Sequence, residues 1–197
     1  MPAITIPAKP FKAAYLFTGD TYRLSCIHIE RYPEAVVISS TDSHQLYMYC
    51  SDSILKAPVT CDHTSIDIDP KNVLTLIKAS TVALDLVWDD NDTTVNVTAH
   101  TSKNVITSTV APIHDGKYSN YRRLIPSDYQ DGRAVVLCSN LERIGKAGSL
   151  VFGNLACVES KYGKTKYSPV LYTITGAPED PAFIDVVTMP VEYKTRY

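Results

Sequence analysis

The chain has 197 residues, 45% of them hydrophobic and 20% charged, with a formal net charge of -2. That is ordinary globular composition, and enough chain to bury a sizeable core without a metal or disulfide staple. The slightly acidic balance excludes binding to nucleic acid through overall charge, so any DNA partner would need the basic residues gathered on one surface.

The five cysteines (Cys26, Cys50, Cys61, Cys138 and Cys157) are odd in number and form no C-x-x-C pair. This argues against a disulfide framework or a zinc site and for a reducing compartment. Sequons at Asn91 and Asn96 are read as chance, because no apolar leader segment precedes them. No apolar run approaches the ~20 residues of a membrane helix. The expectation is a soluble protein of the cytoplasm, with no membrane partner.

In chain order, the first predicted element after the N-terminal residues is a helix from Ala8 to about Phe17. Strand patterns follow at Leu24–Glu30, Ala35–Ser40, Gln45–Cys50 and Ser65–Ile68. A second helix runs from Pro70 to Ala79, opened by Asp69 as N-cap before a proline at N1. Strands are then predicted at Ala83–Trp88, Thr94–Ala99, Asn104–Ala111 and Ala134–Cys138. A third helix spans Asn140 to about Leu150, with Ser139 or Asn140 as cap, before strands at Val170–Thr175 and Phe183–Met189.

This order repeats. A strand, a helix and several strands recur at about residues 3–56, 57–126 and 132–193, each unit roughly 55–70 residues long. The fold class is α+β: repeated βαβββ units with antiparallel sheets outside and helices on one inner face. The clearest boundary is SDYQDG, residues 127–132, a polar stretch with a turn-forming Asp-Gly.

Each predicted helix carries a basic pair: Lys9 and Lys12, Lys71 and Lys78, Arg143 and Lys146. Spacings of three and seven place each pair on one helical face. The one acid in these helices, Glu142, is adjacent to Arg143 and points about 100° away from it. Such faces either solvate a helix or present cations to phosphates, in contacts that are sequence-independent and salt-sensitive.

Catalytic patterns are lacking. Asp42 and His44 could serve as acid and base, but no G-x-S-x-G turn supplies a nucleophile. The five histidines show no i, i+4 pair, and there is neither a G-x-G-x-x-G nor a P-loop pattern. The expectation is a non-enzyme that calls for no cofactor and no metal.

The segment DGKYSNYRRLIP, Asp115 to Pro126, resembles the Asp-Gly-Arg-Phe-Pro-Asp-Tyr-Arg-Arg-Val-Leu-Pro stretch closing the second domain of the bacterial DNA polymerase III β subunit, the sliding clamp. TDSHQLYMYC, Thr41 to Cys50, resembles that family's Thr-Asp-Gly-His-Arg-Leu-Ala. VVTMPVEY, Val186 to Tyr193, resembles its C-terminal Val-Val-Met-Pro-Met-Arg-Leu, with one extra residue before Met-Pro. The resemblance implies a truncated clamp: residues 1–126 as the whole second domain and 127–197 as half of the third. A shortened relative of this kind would suit a phage or mobile element.

The family encircles duplex DNA, tethers a polymerase, and docks short hydrophobic peptides between its second and third domains. The resemblance implies a processivity factor whose partners are duplex DNA, a DNA polymerase, other proteins with clamp-binding motifs, and a clamp loader. Tyr22 and Arg23 match a DNA-contacting region. One pocket wall would be Leu24, Thr41, Ser43, His44, Gln45, Leu46 and Pro126; the other would be Met189, Pro190 and Val191. Ser43 for Gly, Gln45 for Arg and Val191 for Met are departures, and Gln45 loses a cation. An odd number of units leaves one without a mate, which implies a homo-oligomer, a dimer or tetramer joined third unit to third unit. A second reading keeps the pocket without the ring: an interaction module, or decoy, for clamp-partner peptides.

Overall fold

The computed structural model describes residues 3–22, 24–52, 64–89, 92–114, 121–125, 134, 136–165 and 168–190. The first unit is β1 (Ala3–Pro7), α1 (Ala8–Tyr15), β2 (Ile27–Arg31), β3 (Val36–Thr41) and β4 (Gln45–Cys50). The second is β5 (Thr64–Ile68), α2 (Pro70–Leu76), β6 (Thr81–Val87), β7 (Thr94–Thr101) and β8 (Ile106–Pro112). The third is α3 (Cys138–Phe152), β9 (Cys157–Tyr162), β10 (Val170–Thr175) and β11 (Phe183–Thr188).

The first two units exchange their opening strands. β1 joins the four-stranded sheet β1-β6-β7-β8, and β5 joins the seven-stranded sheet β5-β2-β3-β4-β11-β10-β9. Every pairing is antiparallel, and the β4–β11 ladder fuses the first unit to the third.

Alternation explains the layers. In β7, Val95, Val97 and Ala99 are fully buried while the residues between them are exposed or half-buried, as expected of a sheet with one covered face. β3 and β4 are buried almost throughout, because both faces are covered. Their inner face, with Ile38, Tyr47 and Tyr49, belongs to the main core shared with Phe11 and Phe17 of the α1 region. Their outer face carries a second cluster of Val37, Leu46, Met48, Leu171, Phe183 and Val187, against which Ile125 packs.

Helix α1 touches strands of both sheets, whereas α3 lies on β10 and β11 and against α1. Tyr47 pins α1 by donating its hydroxyl to Pro10 O at 3.2 Å and stacking on Phe17 at 5.2 Å. Ser40 Oγ donates to Ala14 O at 2.6 Å.

Several expectations are met within a residue or two, and Asp69 caps α2 by accepting the Lys71 N–H at 3.0 Å. Others are corrected. Helix α2 stops at Leu76, because Thr81 Oγ1 donates to Leu76 O and accepts the Lys78 N–H. Helix α3 begins at Cys138, with Leu137 as a cap that makes no side-chain hydrogen bond, so neither Ser139 nor Asn140 is the cap. Within the predicted strand Ala134–Cys138, the described residues Ala134, Val136 and Leu137 form no strand, and Cys138 is helical. β1 and β5 are strands because each pairs with the sheet of the other unit, whereas among the described residues Ala134, Val136 and Leu137 pair with no strand. β9 was not among the predicted strands, because its sequence CVESKY is charged and almost entirely exposed.

Candidate peptide site and basic helix positions

The β3–β4 hairpin is organised by its own polar side chains. Asp42 Oδ1 accepts the backbone N–H groups of His44 at 2.9 Å and Gln45 at 2.7 Å. Thr41 Oγ1 donates to Gln45 O at 2.8 Å and accepts the Ser43 N–H at 3.2 Å. Ser43 has φ 76°, the left-handed region that favours glycine. Burial, the largest influence on Asp42, works to raise its pKa, but the two backbone N–H groups and the Arg143 guanidinium overcome it and hold the carboxyl below its usual range.

Three segments converge on this hairpin. The Met189 N–H donates to His44 O at 3.0 Å, so the residues leaving β11 run beside the turn. Leu46 and Val187 face each other across the β4–β11 ladder and belong to the outer cluster. The loop after α1 approaches from the other side. A Cβ on Gly19 would lie 2.9 Å from Leu24 Cβ and 3.3 Å from Asp42 Cα, so only glycine permits this approach.

The pocket residues thus divide. Leu24, the Thr41–His44 turn, Leu46, Met189 and Pro190 come together at one end of β3, β4 and β11, with Met189 at the exposed rim. Gln45 departs from expectation. It lies on the opposite face from Leu46 and is 1% exposed; its Nε2 donates to Thr188 Oγ1 at 3.0 Å and Asn140 O at 3.3 Å. It braces the first turn of α3 instead of lining the outer site. Pro126 and Val191 lie outside the described residues, as does most of DGKYSNYRRLIP; Tyr121–Leu124 form a short 3-10 helix.

The basic pairs also divide. Lys9 and Lys12 are exposed on α1, one helical turn apart. Lys71 is exposed in the first turn of α2, but Lys78 lies beyond the helix end, so the two do not share a continuous helical face. Arg143 is ion-paired with Asp42. Lys146 Nζ lies 2.6 Å from Glu142 Oε1, so the acid read as turned away forms a solvent-exposed i, i+4 pair with the second cation of α3. That i, i+4 spacing was visible in the sequence; the Arg143 pairing, across 101 residues, was not. Tyr22 is 62% exposed, its ring 4.5 Å from that of His114. Arg23 lies outside the described residues.

The sequence reading missed a buried polar cluster on the outer face of β2 and β5. His28 Nδ1 lies 2.6 Å from Asp67 Oδ1, and its Nε2 lies 3.2 Å from Glu30 Oε1, which belongs to the carboxylate that accepts the Tyr32 hydroxyl at 2.8 Å through its other oxygen. Burial acts most strongly and lowers the pKa of His28, but hydrogen bonds and charge from Asp67 and Glu30 outweigh it and raise the value to about 9. Among the described residues, no group of three or more His, Cys, Asp or Glu side chains is placed to hold a metal ion, and no helix is long and apolar enough to cross a membrane.

No protein-family model matches the sequence, and no curated protein matches it. Solved structures do. The DNA polymerase III β chain of Streptococcus pneumoniae superposes with a TM-score of 0.59 at 14% identity, covering 98% of this chain and 65% of that one. The DNA polymerase III β subunit of Thermotoga maritima gives 0.55 at 13%, covering 98% and 66%. The PCNA of A. fulgidus, solved with the C-terminal region of FEN-1 bound, gives 0.61 at 10%, covering 98% and 100%. The fold is therefore that of the sliding clamps, as the sequence motifs implied, and the chain spans about 65% of the length of the bacterial clamps it resembles.

Proposed function

We propose that this chain is a sliding-clamp-like tethering factor, which surrounds or lies along duplex DNA and docks short hydrophobic peptide motifs of replication proteins. Its role is binding and not catalysis. Residues 1–126 correspond in this reading to a complete clamp domain, the second of the bacterial subunit, and residues 127–197 to half of the third.

The observation that carries the reading is the hydrogen bond from Met189 N–H to His44 O. It ties the C-terminal segment that resembles one wall of the clamp peptide pocket to the hairpin that resembles the other. Leu46 and Val187 supply an apolar base on the same sheet face. The exposed Lys9, Lys12 and Lys71 are the cations proposed to meet phosphates, with Tyr22 as a further contact.

A second reading, an interaction module that holds clamp-partner peptides without retaining DNA, is favoured by the pairing of Arg143 and Lys146 with acids of this chain. One experiment separates the two. Retention is measured on nicked circular and on linearised DNA, with and without a clamp loader, beside a titration with a fluorescent clamp-motif peptide. Retention on circles that is lost at linear ends supports the tether. Peptide binding without retention supports the module, and neither activity removes both.

A further inference from the structure

We infer that the cavity between the start of α1 and the end of α3 is a binding site for a free amino acid with a large apolar side chain, held as its zwitterion. This goes beyond the DNA and peptide reading and does not depend on it.

The cavity draws on all three units and shares no residue with the candidate peptide site. Lys9 comes from α1, Tyr49 from β4, Ser80 and Val82 from the start of β6 and the loop before it, and Phe152 and Asp180 from the third unit. It holds about 350 Å³, a volume within the range of small-molecule sites and sufficient for one large amino acid.

Its two ends have opposite polarity. Helix α1 has no acid in its first turn, and its cap, Pro7, makes no side-chain hydrogen bond. Lys9 stands exposed in that same turn, so a cation is added to the positive end of the helix dipole, where an anion is favoured. Among the described residues no acid pairs with Lys9. At the other end α3 finishes at Phe152 with no basic residue in its last turn, so its negative end carries no cation of its own. The loop after β10 packs here: a Cβ on Gly176 would lie 2.7 Å from Phe152 Cδ1, so glycine lets the ring approach. The same loop brings Asp180. Its Oδ1 accepts the Ala182 N–H at 2.9 Å, and its other oxygen has no partner among the described residues. Lys9 and Asp180 do not pair with each other, so a ligand can stand between them. One end of the cavity favours an anion and the other a cation. A zwitterion satisfies both, whereas a singly charged ligand leaves one end unmatched.

Tyr49 points to a ligand independently of the helix ends. It is 6% exposed and belongs to the inner face of β4. Tyr47, on the same face, donates its hydroxyl to Pro10 O, but the Tyr49 hydroxyl makes no hydrogen bond among the described residues. A buried hydroxyl without a partner is costly, and a polar ligand atom in the cavity removes that cost. Burial, and after it the charge of Asp180, pushes the phenol up to about 12, so the hydroxyl keeps its proton and is available as a donor. The walls are apolar: Pro7, Val82, Val151 and Phe152 line the cavity, and Val82 is 53% exposed. A large apolar side chain laid against them removes this surface from water, which a glycine or serine ligand cannot do.

The test uses the full chain and isothermal titration with L-phenylalanine. Two analogues are titrated beside it: phenethylamine, which lacks the carboxylate, and 3-phenylpropanoic acid, which lacks the ammonium. L-Phenylalanine is expected to bind saturably with a dissociation constant of about 0.1–1 mM, and each analogue about tenfold or more weakly. Lys9→Gln and Asp180→Asn change exposed side chains, and the asparagine keeps the acceptor used by the Ala182 N–H, so both are expected to melt as the parent does. In Lys9→Gln, L-phenylalanine is expected to bind no tighter than phenethylamine; in Asp180→Asn, no tighter than 3-phenylpropanoic acid. Tyr49→Phe removes only an unbonded hydroxyl and is expected to weaken L-phenylalanine about threefold or more. Failure of L-phenylalanine to bind saturably up to about 20 mM overturns the inference. So does binding that the three substitutions leave unchanged. An analogue that binds as tightly as the zwitterion also overturns it, since one end of the cavity would then be idle.

Discussion

Arg143 of α3 forms an ion pair with Asp42 in the β3–β4 hairpin. A helix of the third unit thereby grips a turn of the first, at the hairpin where the candidate peptide site is assembled. The guanidinium is a brace between units, and the carboxylate it meets already anchors two backbone N–H groups. Arg143→Ala leaves a largely buried carboxylate without its cation, and is expected to lower stability by about 1 kcal/mol in urea denaturation.

The DNA consequence follows from the same contact. Lys9→Gln with Lys12→Gln is expected to weaken duplex binding and to reduce the slope of log affinity against log salt by about two units, since each phosphate contact contributes about 0.9. Arg143→Gln is expected to leave that slope unchanged, because its charge is already spent on Asp42. Fluorescence anisotropy across a salt series measures both.

Met189 tests the peptide site. It is 44% exposed at the rim, so Met189→Lys is expected to leave the melting temperature unchanged and to weaken a hydrophobic clamp-motif peptide about tenfold. Leu46→Ala is a poorer probe, because Leu46 is 2% exposed and its loss opens a cavity in the outer cluster.

Ser43 carries a conformational cost. Its φ of 76° is unfavourable for any residue with a Cβ, so Ser43→Gly is expected to stabilise the chain by about 0.5 kcal/mol, read as a shift of the denaturation midpoint at unchanged slope.

The His28 cluster sets an alkaline limit. Its folded pKa, about 9, lies above the unfolded value of 6.5, so the stabilisation is complete below pH 6.5 and is lost as pH rises through 9. The loss over that window is expected to approach roughly 3 kcal/mol. His28→Asn is expected to flatten the dependence of stability on pH between 6.5 and 9, as measured by denaturation at a series of pH values.

Much of this protein was determined locally. The alternation of apolar residues in β7 and the apolar runs of β3, β4, β10 and β11 are consequences of which faces are covered, and they could be read from residue order alone. So could the Asp69–Pro70 helix start and the hairpin TDSH, because a cap or a turn is satisfied by neighbours in sequence. Glu142 and Lys146 were legible too, since i, i+4 contacts need only a helix.

What the tertiary structure decided is what depends on partners far along the chain. Arg143 reads as a free cation until α3 is seen against the hairpin, 101 residues away in sequence. Gln45 reads as a pocket wall until the pleat of β4 turns it toward Asn140. The segment 134–138 reads as a strand, yet its described residues Ala134, Val136 and Leu137 join no ladder among the described residues, and Cys138 opens α3. A β-strand is completed by hydrogen bonds to a neighbour, so its existence is a property of the assembly of strands and not of the segment.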